Sequence, residues 1–164
     1  MPVTRFLTAC SIVAMVASAA LAASAQQFAL QTGPPVAAMP DPTNPGVKKF
    51  KDAVFVVRSG GCADLSDFLL TARTEGVQDG VRRTAQLALV PLPQQGVFAV
   101  TGTVPKGTWV VALSGTCGSQ VAGATVRLAG KGYRRDGVEL LPHHPTPADV
   151  ERALAGSAGA DDRR

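Results

Sequence analysis

Two stretches of the chain repeat one pattern: Val56–Cys62 has the sequence VVRSGGC and Val111–Cys117 has the sequence VALSGTC. In each, a short apolar run typical of a buried strand is followed by Ser-Gly and then by a cysteine. The turn-forming residues along the chain make these the first and fifth strands of a β domain. Odd-numbered strands of a chain that reverses at every turn point the same way. We therefore predict that Cys62 and Cys117 meet at one end of the domain and form a disulfide.

Seven segments have the composition and alternation of short β-strands, with turn formers such as Asp-Gly and Pro-Lys-Gly between them. Their spacing predicts an all-β fold over residues 47–142, a seven-stranded immunoglobulin-like or prealbumin-like sandwich, with a small barrel as the alternative. Trp109 shares one face of its predicted strand with Val111 and Leu113, which indicates a core position rather than a ligand surface. The predicted strands are Ala53–Arg58, Phe68–Arg73, Val81–Leu89, Val97–Thr101, Thr108–Leu113, Ala124–Leu128 and Val138–Leu141.

One short C-terminal helix is predicted within residues 143–156. Thr146 is a suitable N-cap, Pro147 fits the first helical position, and Asp149 favours the positive end of the helix dipole. Gly156 marks the predicted end of the helix. A helix this short must pack on the β domain to persist.

The first 25 residues have the three zones of a cleavable signal peptide. Arg5 supplies the positive charge, Phe6–Leu21 is uncharged and apolar, and Ala23–Ala25 has the small-x-small pattern that precedes cleavage before Gln26. The apolar run is shorter and more alanine-rich than a membrane span, so no stable membrane anchor is expected after cleavage. This pattern predicts a periplasmic or secreted protein.

The segments on either side of the β domain have compositions that do not favour a packed core. Residues 26–46 hold five prolines and are predicted to form a Pro-rich linker, and residues 157–164 are predicted to be a disordered tail. Removal of residues 1–25 would leave 15 basic and 12 acidic side chains, a net charge of +3. The arginines are scattered and have few aromatic neighbours, so nucleic-acid binding is not expected.

Two histidines, His143 and His144, lie between prolines, a pattern that suggests a metal site. With Met39 they would supply imidazole and thioether ligands for copper. Stable sites need three or four ligands in fixed geometry, and adjacent residues of an extended segment point in opposite directions. We therefore expect an exposed linker and no cofactor, and keep copper handling through these three residues as the alternative.

A glycine-rich segment, residues 130–135, carries the best candidate for contact with a partner. It ends in Tyr133, Arg134 and Arg135, and exposed tyrosine and arginine are the residues that interfaces favour. We expect this segment to be a surface loop. The alternative to a contact site is a surface hairpin that its charge keeps soluble and that contacts no partner. The partner would be an unidentified envelope or extracellular protein, or a small ligand.

The stretch Gly107–Leu113, preceded by Gly96–Val100, is similar to the penultimate strands of small bacterial extracytoplasmic β-sandwich modules. In this it resembles the YtkA-like and the carboxypeptidase-regulatory-like, transthyretin-type domains. The resemblance covers about residues 50–130. It implies a binding or accessory module and brings no catalytic residues. We therefore expect a non-enzymatic exported module.

Overall fold

A computed structural model describes residues 27–35, 53–129 and 132–156. These residues form nine strands, one turn of 3-10 helix at Leu65–Asp67 and one α-helix, α1, at Pro147–Ala155. Nine strands replace the seven that were predicted. They are β1 Ala29–Gly33, β2 Ala53–Gly60, β3 Phe68–Gln78, β4 Val81–Thr84, β5 Ala88–Pro91, β6 Val97–Thr101, β7 Thr108–Cys117, β8 Gln120–Ala129 and β9 Gly132–Leu141.

The strands form two antiparallel sheets. The four-stranded sheet has the order β1-β2-β6-β5, and the five-stranded sheet has the order β4-β3-β7-β8-β9. Phe55 and Val57 of the first sheet pack with Trp109 and Leu113 of the second in one buried cluster. The prediction of an all-β, sandwich-like fold with one short helix is therefore confirmed.

Strand β7 is buried on both faces. Trp109, Val111 and Leu113 point into the core between the sheets, as their alternation predicts. Val110 and Ala112 point outward and pack against the apolar side of α1. The outer face of the five-stranded sheet is therefore covered by the helix along part of its length.

Helix α1 begins and ends at the predicted residues. Thr146 is the N-cap, its hydroxyl accepts a hydrogen bond from the backbone N–H of Asp149, and Pro147 is the first helical residue. The carboxylate of Asp149 accepts in turn from the backbone N–H of Thr146, which completes a capping box. Val150 and Leu154 are the residues that bury its apolar side.

The prediction of one strand at Val81–Leu89 is wrong. Strand β4 pairs with β3 in the five-stranded sheet, whereas β5 pairs with β6 in the four-stranded sheet. Residues 85–87 connect the two sheets and belong to no strand, although the apolar alternation continues through them. The predicted Asp79-Gly80 turn is confirmed, and both residues have the positive φ angles, 52° and 75°, that a tight hairpin requires.

The predicted linker contains a strand. Residues 29–33 of the range 26–46 form β1, which pairs with β2, and Phe28 and Leu30 are 2% and 1% exposed. Burial of these two side chains outweighs the nearby prolines, which begin only at Pro34. Residues 36–46 of the linker, the predicted signal peptide and the predicted tail at 157–164 lie outside the described residues.

The two Ser-Gly pairs, which follow the predicted strands, themselves belong to strands. Ser59 and Gly60 are the last residues of β2, and Ser114 and Gly115 lie inside β7, which continues to Cys117. Leu30 and Phe28 pack closely over the backbone of Gly115, where a Cβ atom would lie 2.8 Å from Leu30, so this position has no room for a side chain. The strands predicted at Thr108–Leu113, Ala124–Leu128 and Val138–Leu141 are likewise longer than predicted.

Candidate functional site

The Cys62 and Cys117 sulfurs lie 2.01 Å apart, at disulfide distance, and their Cα atoms are 5.8 Å apart. Cys62 follows β2 of the four-stranded sheet and Cys117 ends β7 of the five-stranded sheet, so the bridge joins the two sheets at one end. Beside it, the ring of Phe68 makes edge contacts with Phe28 and Phe98 at centroid distances of 5.8 Å. The predicted pairing is confirmed, and it indicates an oxidising, non-cytoplasmic location.

Tyr133 lies in strand β9 and not on an exposed loop, which corrects the prediction. Its ring stacks on Phe55 with centroids 5.7 Å apart, and its hydroxyl lies 3.2 Å from Thr32 Oγ1 in β1. The side chain is half-buried and packs against the core. Tyr133 therefore links the last strand to the opposite sheet.

Arg134 and Arg135 are exposed on an irregular part of β9. The pairing of β8 with β9 shifts between Val126 and Leu128, which leaves extra residues of β9 bulged opposite β8. Arg134 forms a two-contact ion pair with Asp136, at 3.0 and 2.6 Å, and this bonding lowers the pKa of the Asp136 carboxyl. Contact of Arg134 and Arg135 with a partner stays a prediction.

His143 and His144 are exposed in the segment between β9 and α1. Nδ1 of His143 lies 2.9 Å from the carbonyl oxygen of His144 and therefore carries the proton, because a carbonyl only accepts. No group of three or more His, Cys, Asp or Glu side chains in the described residues is placed to hold a metal. Met39 lies outside those residues, so copper handling stays a prediction.

The loop after Cys62 is organised by Asp64. Its carboxylate accepts hydrogen bonds from the hydroxyl of Ser66 at 2.7 Å and from the backbone N–H of Ser66 at 2.9 Å. These bonds lower the pKa of Asp64 and cap the 3-10 turn. The carboxylate thus holds the loop between the disulfide and β3.

Sequence reasoning missed one surface, on the outer face of the five-stranded sheet at the disulfide end. There Leu69 of β3 pairs with Thr116 of β7, which pairs with Val121 of β8. Leu69 and Val121 are 67% and 41% exposed. The next row inward holds Thr71 and Ser114. We call these five residues the uncharged patch.

The signal for this patch was present in the sequence. Phe68 and Leu70 face the core, so Leu69 occupies a position where an alternating strand normally carries a polar residue. Val121 stands in the same relation to the buried Ala122. Two strands of this sheet thus each carry an aliphatic side chain at a solvent position.

No helix in the part of the chain that the structure describes has the length and apolar character of a membrane span. Comparisons of the chain with protein-family models, with curated proteins and with solved structures find no match.

Proposed function

We propose that this protein is a non-enzymatic, exported binding or accessory module of the periplasm or the extracellular space. It has an immunoglobulin-like topology and contacts a protein partner through the uncharged patch. The strand order supports the topology: β1-β2-β6-β5 corresponds to strands A-B-E-D of an immunoglobulin domain, and β3-β7-β8 corresponds to C-F-G. Strands β4 and β9 then extend the second sheet at its two edges.

The observation that carries the proposal is the in-register row Leu69–Thr116–Val121. Strand spacing places its two aliphatic side chains about 10 Å apart on one sheet face, with a threonine between them. Thr71 and Ser114 extend the row without adding a charge. Such a surface resembles the core of a protein–protein contact, where charged residues are depleted. A sheet face also suits a macromolecule better than a small ligand, which needs a concave site.

The disulfide-distance pair and the apolar leader support export. In an exported module the bridge replaces part of the stability that a larger core would supply. The patch lies at the same end of the domain as the bridge, since Leu69 follows Phe68 and Thr116 precedes Cys117. The bridge therefore anchors β7, the strand that carries Ser114 and Thr116 of the patch, at this end of the domain.

The test is quantitative affinity capture from the native envelope with three forms of the folded, oxidised protein. The unchanged chain is compared with the double variant Leu69→Lys/Val121→Lys and with the control Val81→Lys, which charges an exposed valine on β4 away from the patch. We expect one protein to be retained by the first and third forms and lost by the double variant. Equal retention by all three forms would exclude the patch as the contact.

A further inference from the structure

The first half of strand β3 has an open edge. Residues Glu75–Gln78 lie between β4 and β7, whereas Phe68–Arg73 pairs, among the described residues, with β7 alone. The edge is open because the chain changes sheets: the backbone N–H of Ala85 still donates to the carbonyl oxygen of Thr74, and the chain then continues to β5. A longer β4 would occupy the position beside Phe68–Arg73.

The free hydrogen-bonding groups of this edge belong to Leu70 and Ala72. In an antiparallel pair, the N–H and C=O of one residue point to the same side, and successive residues alternate between the two sides. The carbonyl of Thr74 points to Ala85, away from β7, so the backbone groups of Leu70 and Ala72 also point away from β7. No register shift interrupts the β3–β7 pairing, so this alternation is kept. Two donors and two acceptors thus lack a partner in the described part of the chain.

This edge carries none of the features that protect sheet edges from pairing with other chains, which are charges, prolines, bulges and short length. The other described edges have them: β5 ends in Pro91, β4 has four residues with two arginines, and β9 has an irregular pairing and four charged side chains. Strand β1 has five residues and is followed by Pro34. By contrast, Phe68–Ala72 is uncharged and contains no proline. An extended chain can therefore add here as a further strand.

We propose that a second copy of this chain adds at this edge, so that the two β3 strands pair antiparallel around a twofold axis at Leu70. The two Leu70 residues would exchange two hydrogen bonds, and each Ala72 N–H would donate to the carbonyl of Phe68 in the other copy. A register shifted by one residue would set the free groups of one copy against groups that are already bonded to β7 in the other.

Charge complementarity favours a second copy in this register. Pairing about Leu70 places Asp67, the residue before β3, opposite Arg73 of the other copy, and it does so twice. Asp67 is exposed and forms no ion pair with another described residue. Arg73 is exposed and forms an ion pair with Glu75 of its own strand. A shift by two residues either removes both pairs or brings Asp67 opposite Glu75, which repels it.

The contact does not rest on the proposed partner, because it uses the edge of β3 and leaves the outer face of the sheet free. It would place the two uncharged patches side by side, with Leu69 of one copy opposite Thr71 of the other. Two patches on one surface allow a bivalent contact with a dimeric or repetitive partner.

The test is sedimentation equilibrium of the folded, oxidised protein at several concentrations, with amide hydrogen exchange followed by NMR in the same buffer. We expect a monomer–dimer equilibrium with a dissociation constant of about 10–100 µM, because the contact is smaller than a standard protein interface. The amides of Leu70 and Ala72 should become protected as the dimer forms. Those of Leu69 and Thr71, which point to β7, should be protected at every concentration.

Variants test the edge and the register separately. Ala72→Pro removes an N–H that points away from β7, and proline is tolerated on that side of an edge strand, so this variant should fold and stay monomeric. Asp67→Arg and Arg73→Asp should each weaken dimerisation by about tenfold or more, since each sets like charges opposite one another twice. The combined variant Asp67→Arg/Arg73→Asp should regain the dimer. Arg83→Asp, which makes the same change of charge on β4, is the control and should leave dimerisation unchanged.

Three results would overturn the proposal. They are a monomer at every concentration, a dimer in which the exchange of the Leu70 and Ala72 amides is unchanged, and undiminished dimerisation by folded Ala72→Pro. If Ala72→Pro does not fold, the charge variants decide. Equal dimerisation by the two single variants and the unchanged chain would then contradict the proposed pairing.

Discussion

The ring of Tyr133 in the last strand stacks on Phe55 in the opposite sheet, with centroids 5.7 Å apart and planes inclined by 25°. The Tyr133 hydroxyl also reaches Thr32 Oγ1. One side chain at the edge of the five-stranded sheet therefore contacts both β1 and β2 of the other sheet. This contact gives Tyr133 a structural role in place of the exposed position that its glycine-rich surroundings predict.

Tyr133→Ala should lower the free energy of unfolding by about 2–3 kcal/mol, because it removes a half-buried ring from the core. Tyr133→Phe keeps the ring and loses only the hydroxyl, so the loss should be about 0.5–1 kcal/mol. Urea unfolding followed by circular dichroism measures both values. Equal effects of the two substitutions would show that the ring contact contributes nothing.

Gly76 of β3 should not tolerate a side chain, because a Cβ atom there would lie 2.4 Å from the indole of Trp109. Gly76→Ala should destabilise the fold by about 1–3 kcal/mol and change the fluorescence of Trp109, the single tryptophan. Gly33→Ala is the matched control, since nothing lies within 4 Å of its Cβ position. We expect that control to stay within about 0.5 kcal/mol. An unchanged emission spectrum in Gly76→Ala would contradict the packing described for Trp109.

Thr125→Val should raise the free energy of unfolding by about 1 kcal/mol, because it removes a buried hydroxyl that lacks a partner among the described residues. Thr71→Val, on an exposed position of β3, serves as the control and should change stability by less than about 0.5 kcal/mol. Thermal and urea unfolding give both numbers. A loss of stability in Thr125→Val would mean that the hydroxyl is satisfied in the folded protein.

Asp149 makes the attachment of α1 dependent on pH. Hydrogen bonds from the Thr146 hydroxyl and backbone N–H, aided by Arg152, lower its pKa from 3.8 to about 2. A carboxyl whose pKa is lower in the folded state contributes stability that is complete above about pH 4. That contribution is lost as the pH falls from about 4 to about 2.

The measurement is the difference in urea midpoint between the unchanged chain and Asp149→Asn across this pH range. The difference should be largest at pH 5 and should shrink towards pH 2, where the protonated carboxyl resembles the amide. A difference that does not vary with pH would show that ionisation of Asp149 does not stabilise the helix.

Local chemistry made some elements predictable from the sequence. Val97–Thr101 is found as predicted, and α1 begins at Pro147 because Thr146 and Asp149 form a capping box that depends only on near neighbours. The bridge between Cys62 and Cys117 was predictable because two strands that run in the same direction end on the same side of the domain. Each cysteine lies at or just after the end of such a strand.

Other features depend on contacts distant in sequence and could not be predicted. Strand β1 exists because Phe28 and Leu30 are buried against the two sheets, a contact that no local composition reveals. Alternation continues through residues 81–89 while the chain changes sheets, since periodicity reports which side is buried but not which strand is the neighbour. The open edge beside Phe68–Arg73 arises because β4 ends at Thr84 and the chain changes sheets, which also requires tertiary structure.

Cys62 and Cys117 covalently join the two sheets at one end of the domain. In the chain-entropy model, closure of a loop with a sequence separation of 55 stabilises the fold by about 4 kcal/mol. The most direct test is mass spectrometry after alkylation of native, unreduced protein without denaturant. We predict no label on either cysteine and one cross-linked peptide pair that contains both. Free alkylation of both thiols under these conditions would show that no bridge joins the two sheets.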